Sequence, residues 1–156
     1  MEHVVGMGDY TISNREDDIL RTFSLASCVA VTAYSPLKRI AGMIHVVLPA
    51  ILAHMDGRER ASYFAETGVP LLISDMCYKY GCRKEELQIQ LFGGADSIME
   101  QDIFNIGQKN IHAVKLALNK LGLAVFKEDL RGNDSRTITM DVKTGFIEVN
   151  RQRIFR

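Results

Sequence analysis

A net charge of either sign is missing from this chain of 156 residues, in which 19 Lys and Arg balance 19 Asp and Glu. That balance excludes the broad basic surface with which a protein holds nucleic acid or an anionic membrane. No stretch approaches the ~20 apolar residues needed to span a bilayer, so membrane insertion is not expected. The opening residues, MEHVVGMGDY, carry acid and histidine where a secretory leader has basic residues and a long apolar core. Cysteine is scarce and odd in number, at three. Without an export signal that argues against a disulfide framework and for a reducing, cytoplasmic setting. Cys77 and Cys82 have no second pair and no histidine near them in sequence, so no metal site is expected. Gly93-Gly94 lacks the lysine and Ser/Thr of a phosphate loop, and no cofactor is expected either.

What is present is an ordinary globular composition. Apolar residues make up 47% of the chain, enough for one domain, 1–156, with a core of its own. Residues 3–12 read as a strand interrupted by Gly6 and Gly8, with a polar turn over 14–18 and a short extended run over 19–25. Apolar residues from Val69 to Tyr80 recur at helical spacing, predicting a helix over 66–80 that begins near Pro70 and ends at Gly81. Residues 87–92 alternate as a strand. A second helix starts at Asn105, which with Gln108 resembles a capping box, and carries the stripe Ile111, Val114, Leu118 and Leu121 before Gly122. A strand over 124–129, a turn over 131–134 and a hairpin over 137–142 and 146–150 complete the chain. Many strands with two good helices indicate an α+β (mixed α/β) class, with helices on a largely antiparallel sheet system.

The chemistry concentrates in Thr22 to Pro49, TFSLASCVAVTAYSPLKRIAGMIHVVLP. Cys28 heads one apolar run and His45 lies near the end of the next. A four-residue loop, Ser35 to Lys38, pairs Tyr34 with Arg39 and carries Cys28 directly opposite His45, with Cβ atoms ~4.5–5.5 Å apart. A slip of one residue would put the two on opposite faces of the sheet. A thiol and an imidazole so placed can act as nucleophile and base. Each also has a plainer reading: cysteine is among the most buried residue types, and a histidine flanked by Ile44 and Val46 can be a satisfied core residue. His54, in a loop over 50–60, could touch a substrate, and Arg151, Arg153 and Arg156 form a small basic tail that is usually just solvated.

The segments VVGMGDY, TFSLASCVAV, MIHVVLP, LFGGA, NIGQKN and TGFIEV, in that order, resemble the CheD-type chemoreceptor glutamine deamidases over nearly the whole chain. The resemblance implies a two-layered β-sandwich flanked by helices, similar to the catalytic domain of cytotoxic necrotising factors. It implies hydrolysis of glutamine side-chain amides on methyl-accepting chemotaxis receptors, a protein-glutamine glutaminase reaction passing through a cysteine thioester. It matches the family's catalytic thiol, imidazole and threonine to Cys28, His45 and Thr22, and it brings a CheC-type phosphatase as partner. Some members are described as receptor methylesterases. The alternative is a module that docks the phosphatase or the receptor with little catalysis. The family's Gly-Leu-Gly-Ser-Cys stretch departs here at Ser24 and Ala26, and its Gly-Gly-Asn-x-x-Arg pattern becomes Arg131 to Arg136.

Overall fold

The structure is a computed structural model that describes residues 1–51, 55, 60–96 and 105–154. His54, Arg156 and most of the loop over 50–60 lie outside the described residues. Among the described residues nine strands form two sheets. β1 (Glu2–Val4), β3 (Ile19–Leu25), β8 (Asp134–Asp141) and β9 (Ile147–Arg153) make a four-stranded sheet in the order β1-β3-β8-β9. β2 (Tyr10–Ser13), β4 (Val29–Ser35), β5 (Ile40–Val46), β6 (Gln88–Gly93) and β7 (Val125–Leu130) make a five-stranded sheet in the order β2-β5-β4-β6-β7. The pairings β1·β3 and β6·β7 are parallel and the others antiparallel. The expected α+β class is observed.

Strand alternation sorts the core into two layers. Ala30, Tyr34, Ala41, Met43 and Phe92 of the five-stranded sheet meet Leu20, Leu25, Ile138 and Met140 of the other sheet. Val29, Val31, Ile44 and Val46 face the opposite way, onto α1 (Ala65–Tyr78) and α2 (Ile106–Lys120). β4 and β5 are therefore buried on both faces along their whole length, which is why they read as apolar runs with little alternation.

Several elements differ from the sequence reading. Residues 3–12 are not one strand: β1 and β2 belong to different sheets, and the chain crosses between them at Gly6 to Asp9, with Gly8 at φ 74. Pro70 lies inside α1, not at its start. The carbonyl it leaves unbonded belongs to Glu66, which is exposed and open to water. Asn105 precedes α2 in the left-handed conformation and makes no side-chain capping bond. Arg151 and Arg153, expected as a free basic tail, extend β9 and pair with Asp129 and Asp134.

The most consequential difference is in the β4–β5 hairpin. Ser35 stays in the strand opposite Ile40, so the four-residue loop is Pro36 to Arg39. Two interactions hold it there. Ser35 Oγ donates to Glu86 Oε1 at 2.6 Å, and its carbonyl accepts from the Arg39 N–H at 2.8 Å, with Arg39 at φ 54. The register moves by two residues from the expected one, and Ala30, not Cys28, is opposite His45.

Candidate active site

A shift of two preserves the face. Cys28 and His45 remain on the side of the five-stranded sheet that meets the other sheet, now as diagonal neighbours across β4 and β5, Cys28 just before the first paired residue. Thr22 arrives from β3 of the opposite sheet, which no in-strand spacing could reveal. Its Oγ1 lies 2.7 Å from His45 Nδ1 and 2.6 Å from the Val5 carbonyl oxygen. The structure thus joins Thr22 to His45 directly and puts Cys28 on the same face.

The hydroxyl has one hydrogen. The Val5 carbonyl can only accept, so the hydrogen goes there, and Thr22 Oγ1 must accept from Nδ1–H. The imidazole is then the Nδ1–H tautomer, with an unprotonated Nε2. Nε2 is buried and has no hydrogen-bond partner among the described residues. The backbone of His45 is fixed as well: its N–H donates to the Asp9 carbonyl at 3.0 Å and its carbonyl accepts from the Gly8 N–H at 2.8 Å.

Burial sets the charge state. Cys28 is 9% exposed and His45 3%. Burial pushes the thiol up to about 11, with its own backbone amide pulling back. Burial pushes the imidazole down to about 4, against the opposing pull of the Asp9 carboxylate. At neutral pH the pair is thiol and neutral imidazole, not thiolate and imidazolium.

The loop that carries Cys28 is held from behind. The carbonyl of Ala26 accepts from the Ala95 N–H at 2.7 Å and that of Cys28 from the Gly94 N–H at 2.8 Å. The carbonyl between them, Ser27, accepts from Asn110 Nδ2 at 3.0 Å. Gly93, at φ 105, makes this approach possible, since a Cβ there would collide with the Cys28 carbonyl oxygen. Ser24, where the family pattern has glycine, sits at φ 55 beside a register shift in β3.

Sequence reasoning missed Asn110. Its signal was present: a polar residue on the buried stripe of α2 with Gly107, Val114, Ala117 and Leu118. A groove of about 590 Å³ between α1 and α2 is lined by Pro70, Lys109, His112 and Leu116 among others, and by none of Thr22, Cys28 and His45. Cys77 and Cys82 are free thiols; Cys82 is part of the core beneath the helices and Cys77 packs against it.

Comparison with known proteins decides the family. A model described as CheD chemotactic sensory transduction matches residues 47–151. The chain belongs to the CheD family. A relative from Syntrophotalea carbinolica, called a probable chemoreceptor glutamine deamidase CheD, is 43% identical over 94% of this chain and 92% of its own. A probable chemoreceptor glutamine deamidase CheD from Thermococcus kodakarensis is 37% identical over 97% of this chain and 93% of its own. The CheD family model begins beyond Thr22, Cys28 and His45, whereas these whole-length relatives extend over most of the chain. Among solved structures, YlmD from Geobacillus stearothermophilus superposes with a TM-score of 0.53 at 9% identity, over 79% of this chain and 50% of that one. The hypothetical protein YfiH of Bacillus licheniformis gives 0.50 at 12%, over 77% and 49%. At that identity the likeness concerns the fold alone.

Proposed function

We propose that this CheD protein deamidates glutamine side chains on methyl-accepting chemotaxis receptors, with Cys28 as nucleophile, His45 as general base and acid, and Thr22 as the residue that orients the imidazole. The observation that carries the reading is the Val5–Thr22–His45 chain of hydrogen bonds, which leaves an unprotonated Nε2 on the face that also bears Cys28. Because the resting pair is neutral, the thiol must lose its proton as it attacks. As Sγ attacks the carboxamide carbon, its proton passes to Nε2 and the carbonyl π electrons move to oxygen. The tetrahedral oxyanion collapses, the C–N bond breaks, and the Nε2 proton leaves on ammonia. Water then attacks the thioester with His45 again as base, releasing glutamate and the thiol. The Ser27 and Cys28 N–H groups are the oxyanion donors in this scheme, and neither donates to a backbone carbonyl among the described residues.

The same reading takes a CheC-type phosphatase as partner and the cytoplasm as the compartment, and it relates the sandwich to the cytotoxic necrotising factor catalytic domain. Among the described residues no helix is long and apolar enough to cross a membrane. The test is ammonia release, with the matching mass gain, from a receptor cytoplasmic fragment. Cys28→Ala is expected to abolish both while retaining the wild-type melting temperature, and full activity in that variant overturns the scheme.

A further inference from the structure

β4 and β5 part company at the active site. Their ladder ends at the pair Val29 and Val46. The next pair would join Cys28 to Val47, but the Val47 N–H turns away to the Tyr63 carbonyl at 3.0 Å. Asn110 of α2 occupies the fork. Its Nδ2 donates to Ser27 O at 3.0 Å and to Val47 O at 2.9 Å, and its side chain is fully buried. Two carbonyl acceptors fix the amide orientation, since Oδ1 could donate to neither.

We infer that Asn110 is a positioning residue for the deamidation reaction, aiming the Cys28 N–H at the developing oxyanion by holding the Ser27 carbonyl in the opposite direction. In a trans peptide C=O and N–H point in opposite senses. Fixing Ser27 O on Asn110 therefore turns the Cys28 N–H outward, and fixing Ala26 O on the Ala95 N–H does the same for the Ser27 N–H. The second Asn110 bond, to Val47, ties this orientation to the strand that carries His45. Helix α2 is itself pinned, because Gly107 lies so close to the Gly94 and Ala95 carbonyls that a Cβ could not fit. Packing alone gives no reason for an amide here. Asn110 Oδ1 is buried with no partner among the described residues, a cost that an aliphatic side chain would avoid. The two donated hydrogens are what the amide supplies.

This inference rests on the Cys28 reading above, and its test separates the two. Asn110→Ala and Asn110→Ser are assayed beside Cys28→Ala for ammonia release from a receptor cytoplasmic fragment, for iodoacetamide alkylation of Cys28 and for thermal melting. Alkylation needs the thiol but no oxyanion donor. In Asn110→Ala we expect kcat about 10²-fold lower, with KM and the alkylation rate within about threefold of wild type, and Asn110→Ser between the two. An unchanged kcat overturns the inference, as does a kcat loss matched by an equal change in alkylation. Loss of a cooperative melt in both variants assigns Asn110 to the fold and overturns it too. Full activity in Cys28→Ala would instead overturn the thiol chemistry itself.

Discussion

The Thr22 hydroxyl bridges the two sheets, donating to Val5 and accepting from His45 Nδ1 at 2.7 Å. Thr22→Val keeps the shape but strands a buried imidazole N–H and a buried carbonyl. A loss of about 3 kcal/mol in stability is expected from the two unpaired groups. Deamidation should fall by a factor on the order of 10² as the ring loses its fixed tautomer. Thr22→Ser, which keeps the hydroxyl, should stay within about tenfold of wild type. Chemical denaturation and ammonia release measured on both variants check this.

The neutral pair predicts an unusual pH response. An unfolded imidazole binds its proton near 6.5, whereas His45 in the fold does so near 4. Between those values the unfolded chain holds more protons, so stability is full above 6.5, falls as pH drops through the window, and levels off below about 4. The loss through His45 is about 3 kcal/mol. The urea midpoint of wild type relative to His45→Gln should therefore decline between neutral and acid pH. Deamidation should hold steady through pH 6.5, where an unperturbed histidine would titrate, and fall only toward 4.

Cys28 should also be sluggish toward electrophiles at rest. With the thiol at about 11 against an ordinary 9.0, iodoacetamide should modify it about 10²-fold more slowly than a free cysteine at neutral pH. Fast alkylation would contradict the neutral pair. Slow alkylation is consequently no sign of a non-catalytic docking module, and only product formation separates that alternative from an enzyme.

Gly93→Ala should be among the most damaging single changes. It forces a side chain into φ 105 and against the Cys28 carbonyl. A loss of at least about 2 kcal/mol is expected, with deamidation lost as Cys28 is displaced. Melting temperature and ammonia release report the two effects separately.

Ser24 holds φ 55 without being glycine. Ser24→Gly removes a left-handed strain of about 1 kcal/mol and adds a comparable unfolded-chain entropy, so stability should change by less than about 1 kcal/mol. Ser24→Val, β-branched at the same φ, should lose about 1–2 kcal/mol. Thermal melts of the two variants, read as a pair, test whether the backbone here is set by its neighbours.

Much of the fold is written locally. The buried runs of β4 and β5, the stripe of α2 and the Gly81 and Gly122 stops announce themselves, because periodicity and turn chemistry act over a few residues. Register was harder. The β4–β5 loop has the expected length but starts one residue later, because Ser35 is held by Glu86, far along the chain. The single strand expected over 3–12 became two strands in separate sheets for a similar reason, since each half finds a different partner.

Local pattern alone puts a thiol and an imidazole on adjacent strands, and parity kept them on one face even when the register moved by two. Their surroundings come from contacts between elements distant in the chain. Thr22 reaches His45 from the other sheet, Gly94, Ala95 and Asn110 hold the Cys28 loop, and burial keeps both the thiol and the imidazole uncharged. These contacts join residues from separate elements, where hydrogen-bond geometry and desolvation act through space and leave no period in the chain.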